Sequence, residues 1–388
     1  MFRFIGGSYF QNIKTLSTLS NEAQELITNS TKDLREVVDN HAHLCGLGQN
    51  DEFYINNCFH NKNNFIKQIH FKVFENASGI TSIHESDHSK NTQYTIRLQS
   101  LVNDINKIIP YKMTLLPMDH YYEENGQMNK DKTGFYCSSK SVETFAADSD
   151  RFIPTVSIHP AKLSSIQELE EAHRKGINII KWLPNSMNID CSNPKYEQFY
   201  RKVIELNMKI LVHIGHEHSV DSGHLNQELG NPLRLRYPLD LGVKIIGAHC
   251  ATEGRSLDLD SNTTKTEDNF VLFSRLMDDP KYVTILFADI SACIGFKRVK
   301  YLNKILDNKH WHSRLLFGSD YPVPCIPFVT STKLLYWYGL LEYKQIKPLN
   351  EIFYSNPLLY NLVVFRTITS KSGNKLDNSV FERSIEHI

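Results

Sequence analysis

The chain has 388 residues, and its 43 basic and 43 acidic residues give a formal net charge of zero. This balance removes the electrostatic reason to expect nucleic acid or an anionic membrane as a partner, so a small-molecule substrate is the expected ligand. The longest apolar run, "LLYWYGLL" at 334–341, is too short to cross a bilayer, and the first twenty residues lack the apolar core of a secretion signal. We therefore expect a cytoplasmic protein, in which this run packs on the fold or forms the face of a homo-oligomer.

The seven cysteines are scattered along the chain and include no Cys-x-x-Cys pair. This pattern is typical neither of a disulfide framework nor of a zinc finger. Cys250, Cys293 and Cys325 lie at or just beyond apolar runs, where a free thiol behaves as a small hydrophobic group. A nucleophilic role is not expected for any of the seven.

Eight short β-rich runs alternate with stretches of helical character, the pattern of a parallel sheet with crossover helices. The predicted strands are 36–44, 112–118, 152–158, 177–183, 209–214, 243–249, 282–290 and 314–320. The segments "SIQELEEAHRKG" and "YEQFYRKVIELN" have the spacing of amphipathic helices, and each precedes a strand. The α/β pattern predicts a (β/α)₈ TIM barrel, with a doubly wound open sheet as the alternative.

The predicted organisation is one elaborated domain: an N-terminal extension at 1–35, the barrel at 36–369, and a polar C-terminal tail at 370–388 that is expected to fray. Two polar regions, 45–111 and 119–151, exceed what a minimal barrel needs. We interpret them as long insertions after strands 1 and 2, where lids and substrate loops are usually built.

The residues that could perform chemistry lie at the ends of predicted strands. The motif "VDNHAHL" ends the first strand with two histidines on one face, a pair that could also be two surface side chains. Further groups of this kind follow on the fourth, fifth, sixth and eighth strands: Lys181, His213, His249 and Asp320. Each alone could be a core residue or a helix cap. Because barrels carry their active sites at the carboxyl ends of their strands, we expect the six groups, His41 and His43 included, to converge.

Five motifs in this order, "VDNHAHL", "IIKWLPNSM", "ILVHIGHE", "KIIGAHC" and "RLLFGSDYP", resemble those of the amidohydrolase superfamily of metal-dependent hydrolases. The resemblance covers about 37–361 and is nearest to the branch that includes aminocarboxymuconate-semialdehyde decarboxylase. It implies that a divalent metal, with zinc as the first choice, is held by His41, His43, His213 and Asp320. It also implies that His249 is a second-metal ligand or a catalytic group, and Asp320 is expected to accept the proton of the attacking water.

Lys181 departs from the mononuclear decarboxylase pattern. In binuclear members of the superfamily, a lysine on the fourth strand is carbamylated and bridges two metals, so the resemblance implies one or two divalent ions here. The alternatives are a lysine that reaches the rim beside Trp182 and one that binds the substrate.

Secondary candidates surround these groups. His159 ends the third predicted strand, and Glu217, Asn231 and Arg234 follow the fifth; all four are candidate substrate-binding residues. Arg234 could bind a substrate carboxylate through two hydrogen bonds, and a surface ion pair is the alternative. The loop histidines His216, His218 and His224 suggest a second metal site but are more often solvated. Asp289 ends the seventh predicted strand and could support a ligand from behind.

Three functions are consistent with the sequence. The first is a metal-dependent hydrolase of a cyclic amide, lactone or ester, in which a metal-activated water attacks the substrate. The second is a metal-dependent, non-oxidative decarboxylase of an unsaturated or aromatic acid. The third is an inactive barrel that serves as a binding protein. Lys181 favours the hydrolase, a single bound metal would favour the decarboxylase, and retention of all six groups argues against the inactive barrel.

Overall fold

The computed structural model describes residues 15–48, 50–59, 65–80, 86–261, 264–326 and 329–388. The predicted N-terminal extension is therefore described only from residue 15, and its first fourteen residues lie outside the described part of the chain. The described strands are β1 (Val37–His43), β2 (Phe53–Ile55), β3 (Tyr111–Leu116), β4 (Phe135–Cys137), β5 (Phe152–Pro154), β6 (Ile179–Trp182), β7 (Lys209–Val212), β8 (Lys244–Gly247), β9 (Arg255–Leu257), β10 (Thr266–Asp268), β11 (Leu286–Asp289) and β12 (Leu315–Leu316).

Helices lie between most of these strands and after the last one. They are α1 (Asn21–Thr31), α2 (Phe65–Ala77), α3 (Asp87–Asn106), α4 (Ser139–Ala146), α5 (Ser165–Arg174), α6 (Pro184–Met187), α7 (Glu197–Glu205), α8 (Arg236–Leu241), α9 (Asn269–Met277), α10 (Leu302–Asp307), α11 (Thr332–Trp337), α12 (Tyr343–Ser355), α13 (Pro357–Thr367) and α14 (Asn378–Glu382). None of the helices in the described ranges is both long and apolar enough to cross a membrane.

Local sequence explains where several helices begin and which face they bury. The Ser20 side chain accepts a hydrogen bond from the Ala23 N–H and so caps the start of α1. Helix α7 buries Phe199, Tyr200 and Val203 while its charged residues lie on the other face, as the amphipathic pattern predicts. Helix α1 therefore begins at a capping residue, and α7 forms along an apolar stripe.

All eight predicted strands have a counterpart, β1, β3, β5, β6, β7, β8, β11 and β12, although their ends differ from the prediction. The seventh begins at Leu286 rather than residue 282, since Pro280–Tyr282 forms a 3₁₀ turn. The eighth has only two residues and ends at Leu316. Along the chain these strands alternate with helices in the order of a (β/α)₈ barrel, and the predicted α/β fold class is confirmed.

The chain divides into two compact units. Among the described residues, the first unit lies within 15–47, 65–113 and 291–384, and the second lies within 48–59, 114–290 and 385–388. In the second unit, β6, β7, β8 and β11 are parallel neighbours, with Ile180 opposite Ile210 and Ile210 opposite Ile245. A parallel bridge between Val156 and Ile180 places the segment after β5 beside β6.

In the first unit, β1 lies parallel to the segment that follows β12. The Asn40 N–H donates to the Phe317 carbonyl at 2.9 Å, the Asp320 N–H donates to the His41 carbonyl at 2.7 Å, and the His43 N–H donates to the Tyr321 carbonyl at 2.9 Å. This ladder is possible because Gly318 lacks a side chain: a Cβ there would lie 2.7 Å from the His41 Cβ.

The two polar regions contain regular structure. The region 45–111 carries β2, α2 and the 20-residue helix α3, and the region 119–151 carries β4 and α4. Strands β2 and β4 pair antiparallel within the second unit. Along the chain, α3 precedes β3 and α4 precedes β5, the position of a crossover helix. The interpretation of both regions as insertions stays a prediction.

The expectation that the C-terminal tail frays is wrong. In the first unit, α14 buries Val380 and Phe381, the Val380 carbonyl accepts a hydrogen bond from the Phe317 N–H at 2.8 Å, and the Phe381 ring lies 5.5 Å from that of Phe317. In the second unit, the buried Lys209 ammonium donates to the carbonyls of Ile385 and Glu386. The prediction of a frayed tail was based on its polar composition alone. The few apolar residues of the tail are the ones that pack.

Candidate functional site

Three of the predicted ligands lie together in the first unit. The His41 Nε2 and the His43 Nε2 lie 3.4 and 3.5 Å from the same atom, the Asp320 Oδ1. The centroids of the two imidazole rings are 5.3 Å apart, and the ring planes are inclined at 68°. The His41 side chain is fully buried and that of Asp320 is 15% exposed. The motif on β1 and the aspartate after β12 therefore form one cluster in which the carboxylate can be reached from solvent.

The spacing of these atoms suits a shared cation. Two ligands bound to zinc at about 2.0 to 2.1 Å with tetrahedral angles lie roughly 3.3 Å apart, close to the separations found here. Hydrogen bonds between nitrogen and oxygen are shorter, about 2.7 to 3.2 Å. The ligand atoms of His41 and Asp320 also belong to a group that could hold a metal ion. The donor set, two imidazole nitrogens and a carboxylate oxygen, is one that zinc prefers.

The other ring nitrogens of the pair have different surroundings. The Ser291 hydroxyl lies 3.2 Å from the His41 Nδ1, so the ring can donate to it there while Nε2 faces Asp320. The His43 Nδ1 is buried and has no hydrogen-bond partner among the residues that the structure describes. The His43 backbone carbonyl accepts from the Tyr94 hydroxyl at 2.5 Å, which fixes the end of β1.

Asp39 is a residue of this cluster that the sequence interpretation missed. Its side chain is fully buried, and its Oδ1 accepts hydrogen bonds from the N–H groups of His41 and Ser319. The Tyr111 hydroxyl donates to its Oδ2 at 2.8 Å. Burial raises the pKa of Asp39 to about 6, against the lowering effect of these hydrogen bonds. The signal was available, since residues 39, 41 and 43 alternate along one face of a strand.

Two further predicted ligands lie together in the second unit. The rings of His213 and His249 are 5.0 Å apart, and both side chains are buried. The His213 Nε2 lies 3.5 Å from the Glu217 Oε2, and the His249 Nδ1 lies 3.9 Å from the Asp289 Oδ1. Each histidine therefore has a carboxylate close to its ring.

His249 lies beyond its strand rather than in it, because β8 ends at Gly247. The backbone of His249, Cys250 and Ala251 is left-handed, with φ of 57°, 48° and 52°. Non-glycine residues rarely adopt this conformation, which costs roughly 1 to 2 kcal/mol each. The turn is supported by the His249 N–H, which donates to the Asp289 Oδ1 at 2.9 Å, and by the Thr252 hydroxyl, which donates to the His249 carbonyl.

Lys181 lies in the middle of β6 in the second unit and is 1% exposed. Its N–H donates to the Val156 carbonyl, and its carbonyl accepts from the Ser157 hydroxyl. The alternative in which this lysine reaches solvent beside Trp182 is therefore wrong. Carbamylation of Lys181 and substrate binding by it stay predictions.

His159, a candidate for substrate binding, has both ring nitrogens engaged by the backbone. Its Nε2 donates to the Met187 carbonyl at 2.8 Å and its Nδ1 accepts from the Ala161 N–H at 3.1 Å. Burial lowers its pKa to about 3. The His159 N–H in turn donates to the buried Asp119 carboxylate. Substrate binding by this ring would require one of these bonds to break.

The three candidates after the fifth predicted strand also have protein partners. The Glu217 Oε1 accepts from the N–H groups of His218 and Ser219. The Asn231 Oδ1 accepts from the Leu233 N–H and caps a 3₁₀ turn. The Arg234 guanidinium donates to the Asp190 carboxylate at 2.7 Å, as in the ion-pair alternative. Their roles toward a substrate stay predictions.

The loop histidines do not form a metal cluster within the described residues. The His216 Nε2 lies 3.0 Å from the Arg255 carbonyl, the His218 Nε2 lies 3.4 Å from the Glu253 Oε1, and His224 is exposed. The seven cysteines are free thiols, and six of them are buried.

No family model matches the sequence, and no curated protein matches it.

Among solved structures, an uncharacterized TIM-barrel protein from Bordetella bronchiseptica is 13% identical, with 85% of this chain and 99% of that chain covered and a TM-score of 0.47. A protein described as a probable 2-pyrone-4,6-dicarboxylic acid hydrolase from Acinetobacter baumannii is 12% identical, covering 84% and 95% with a TM-score of 0.43. The 5-carboxyvanillate decarboxylase LigW from Sphingomonas paucimobilis is 10% identical, covering 81% and 96% with a TM-score of 0.41. Similarities at this level do not define an activity for this chain.

Proposed function

We propose that this protein is a metal-dependent hydrolase of the amidohydrolase type, acting on a cyclic amide, lactone or ester of a small molecule in the cytoplasm. The observation that carries the proposal is the convergence of the His41 and His43 Nε2 atoms on the Asp320 Oδ1 at 3.4 and 3.5 Å. Zinc is the proposed metal because imidazole and carboxylate donors suit it. His213 and His249, which lie in the second unit and also follow the carboxyl ends of strands, are proposed as further ligands for a divalent ion.

The residues have distinct proposed roles. A bound divalent ion would polarise the substrate carbonyl and make water a better nucleophile near neutral pH. The Asp320 carboxylate, partly exposed beside both imidazoles, accepts a proton from the attacking water and returns it to the leaving group. His249, whose N–H donates to the Asp289 carboxylate, would bind the substrate or a second ion. The buried His41 ring would be a ligand carried on β1, with the Ser291 hydroxyl beside its Nδ1.

Replacing Asp320 tests the proposed chemistry. Asp320→Asn removes the proton acceptor and keeps the shape of the side chain, so we expect turnover of any hydrolysed lactone or cyclic ester to fall by about 100- to 10,000-fold. The assay uses zinc-loaded protein against a panel of such substrates, with thermal melting to show that the variant is folded. Near-parental turnover by Asp320→Asn would exclude Asp320 from the mechanism.

The decarboxylase is the second candidate, and Lys181 separates the two. If the buried Lys181 amine is carbamylated, its new carboxylate can bridge two ions about 3.5 to 4 Å apart, as in two-metal hydrolytic sites. We then expect metal content to approach two ions per chain after reconstitution with bicarbonate. Lys181→Ala should hold no more than one ion tightly, and a short carboxylic acid should partly restore the second. The decarboxylase would be favoured if the parent bound one ion at every bicarbonate concentration and Lys181→Ala had the same metal content.

A further inference from the structure

The seam between β1 and the segment after β12 carries the proposed ligands on both of its sides. His41 and His43 lie on β1, and Asp320 lies on the other side with a left-handed backbone (φ 57°). Since left-handed backbone is uncommon outside glycine, the position of Asp320 must be held by its surroundings. The ladder bond from the Asp320 N–H to the His41 carbonyl provides one such restraint.

Asp39 provides the second restraint, through a single oxygen atom. Its Oδ1 accepts from the His41 N–H at 3.2 Å and from the Ser319 N–H at 2.8 Å. One of these donors belongs to a proposed ligand and the other belongs to the residue immediately before Asp320. The carboxylate therefore links the two sides of the seam directly behind the cluster.

The orientation of the Asp39 carboxylate is itself fixed. The Tyr111 hydroxyl donates to its Oδ2 at 2.8 Å, and the Asp39 side chain is fully buried. With three hydrogen bonds to one buried group, the carboxylate cannot rotate without leaving donors unsatisfied. Gly318 completes the arrangement, because it lets the two backbones approach closely beside His41.

From these contacts we infer that Asp39, oriented by Tyr111, is a positioning residue that sets the spacing between the imidazoles of β1 and the Asp320 carboxylate. It acts through the backbone of His41 and Ser319 and does not itself bind the ion. The inference rests on the proposed metal centre and adds to it a residue outside the ligand set. Residues behind metal ligands commonly change metal affinity about 10- to 100-fold when they are replaced.

The test measures zinc affinity by competition with a chromophoric chelator and records the visible absorption spectrum of the Co²⁺-loaded protein. Asp39→Ala removes the link, so we expect zinc to bind about 10- to 100-fold more weakly and the Co²⁺ spectrum to change. Asp39→Asn keeps an oxygen for the two N–H groups and can donate to the Tyr111 oxygen. We expect this conservative variant to bind zinc within about threefold of the parent, because positioning depends on the hydrogen bonds rather than the charge.

Tyr111→Phe is the second variant, and it replaces Asp39→Ala in the test if Asp39→Ala does not fold. It frees one oxygen of the carboxylate, and we expect several-fold weaker zinc binding and a shifted Co²⁺ spectrum. Val363→Ala, which shortens a buried apolar residue of α13, is the control for lost stability and should leave zinc affinity unchanged.

The inference would be overturned if folded Asp39→Ala had the zinc affinity and the Co²⁺ spectrum of the parent. If Asp39→Ala does not fold, the same result for Tyr111→Phe would overturn it. Equal weakening by Asp39→Asn and Asp39→Ala, or by Val363→Ala, would overturn it as well. His41→Ala separates this failure from that of the proposed function. If His41→Ala loses zinc while the Asp39 variants keep it, only the positioning role is wrong, and if His41→Ala binds zinc like the parent, the metal centre is wrong.

Discussion

At the scale of single residues, surroundings decide what a histidine can do. His41 and His43 direct their Nε2 atoms toward a carboxylate, whereas both ring nitrogens of His159 bind the backbone. The sequence distinguished the first pair, because two histidines at alternate strand positions must share a face. It could not distinguish His159, because the partners of that ring, the Met187 carbonyl and the Ala161 N–H, are set by the folding of loops.

The His159 ring should make stability depend on pH. Burial lowers its pKa from the usual 6.5 to about 3, so the folded state keeps the ring neutral while the unfolded state binds a proton below pH 6.5. Its contribution to the free energy of unfolding is therefore present above pH 6.5 and is lost as the pH falls toward 3. Between pH 7.5 and 5.5 the loss should be roughly 1 kcal/mol.

Urea denaturation of the parent and of His159→Gln at both pH values measures this contribution. Glutamine does not titrate, so the variant should lose roughly 1 kcal/mol less than the parent on acidification. His224→Gln, at an exposed position, controls for the removal of a histidine at the surface. The same pH dependence in parent and His159→Gln would show that the buried ring is not held neutral.

At the scale of secondary structure elements, the period of apolar residues predicted which segments are strands and helices, but not where they end. The sixth predicted strand was extended to residue 249, yet the chain turns left-handed at His249 because its N–H bonds to Asp289 on a neighbouring element. Contacts between residues distant in sequence leave no local pattern. The packing of α14 was missed for the same reason, since Phe381 contacts Phe317 across more than sixty positions.

Helix α14 should contribute to stability. Phe381 is fully buried, so Phe381→Ala should lower the free energy of unfolding by about 3 to 5 kcal/mol through lost packing and a residual cavity. Urea unfolding followed by circular dichroism measures the change. Leu163→Ala, at a fully exposed apolar position, is the control and should change stability by no more than about 0.5 kcal/mol. If Phe381→Ala and the parent had the same free energy of unfolding, the conclusion that α14 packs on the fold would be wrong.

At the scale of the whole molecule, neutral charge and the β/α alternation predicted a (β/α)₈ protein for a small-molecule ligand, and the fold class is confirmed. The candidate site was predicted from the order of six residues along the strands: His41, His43, Lys181, His213, His249 and Asp320. In the structure, His41 and His43 lie close to Asp320, and His213 lies close to His249. The substrate could not be predicted, because it depends on loops whose sequences have no recognisable pattern.

The metal content of the purified protein tests the central proposal most directly. Elemental analysis of protein prepared without chelator should find at least one divalent transition metal ion per chain, with zinc expected. His41→Ala and His43→Ala should remain folded and lose that ion, because each removes an imidazole donor from the cluster around Asp320, while His224→Ala at an exposed position should keep it. Full metal content in folded His41→Ala and His43→Ala would contradict the proposal that these histidines form a metal centre.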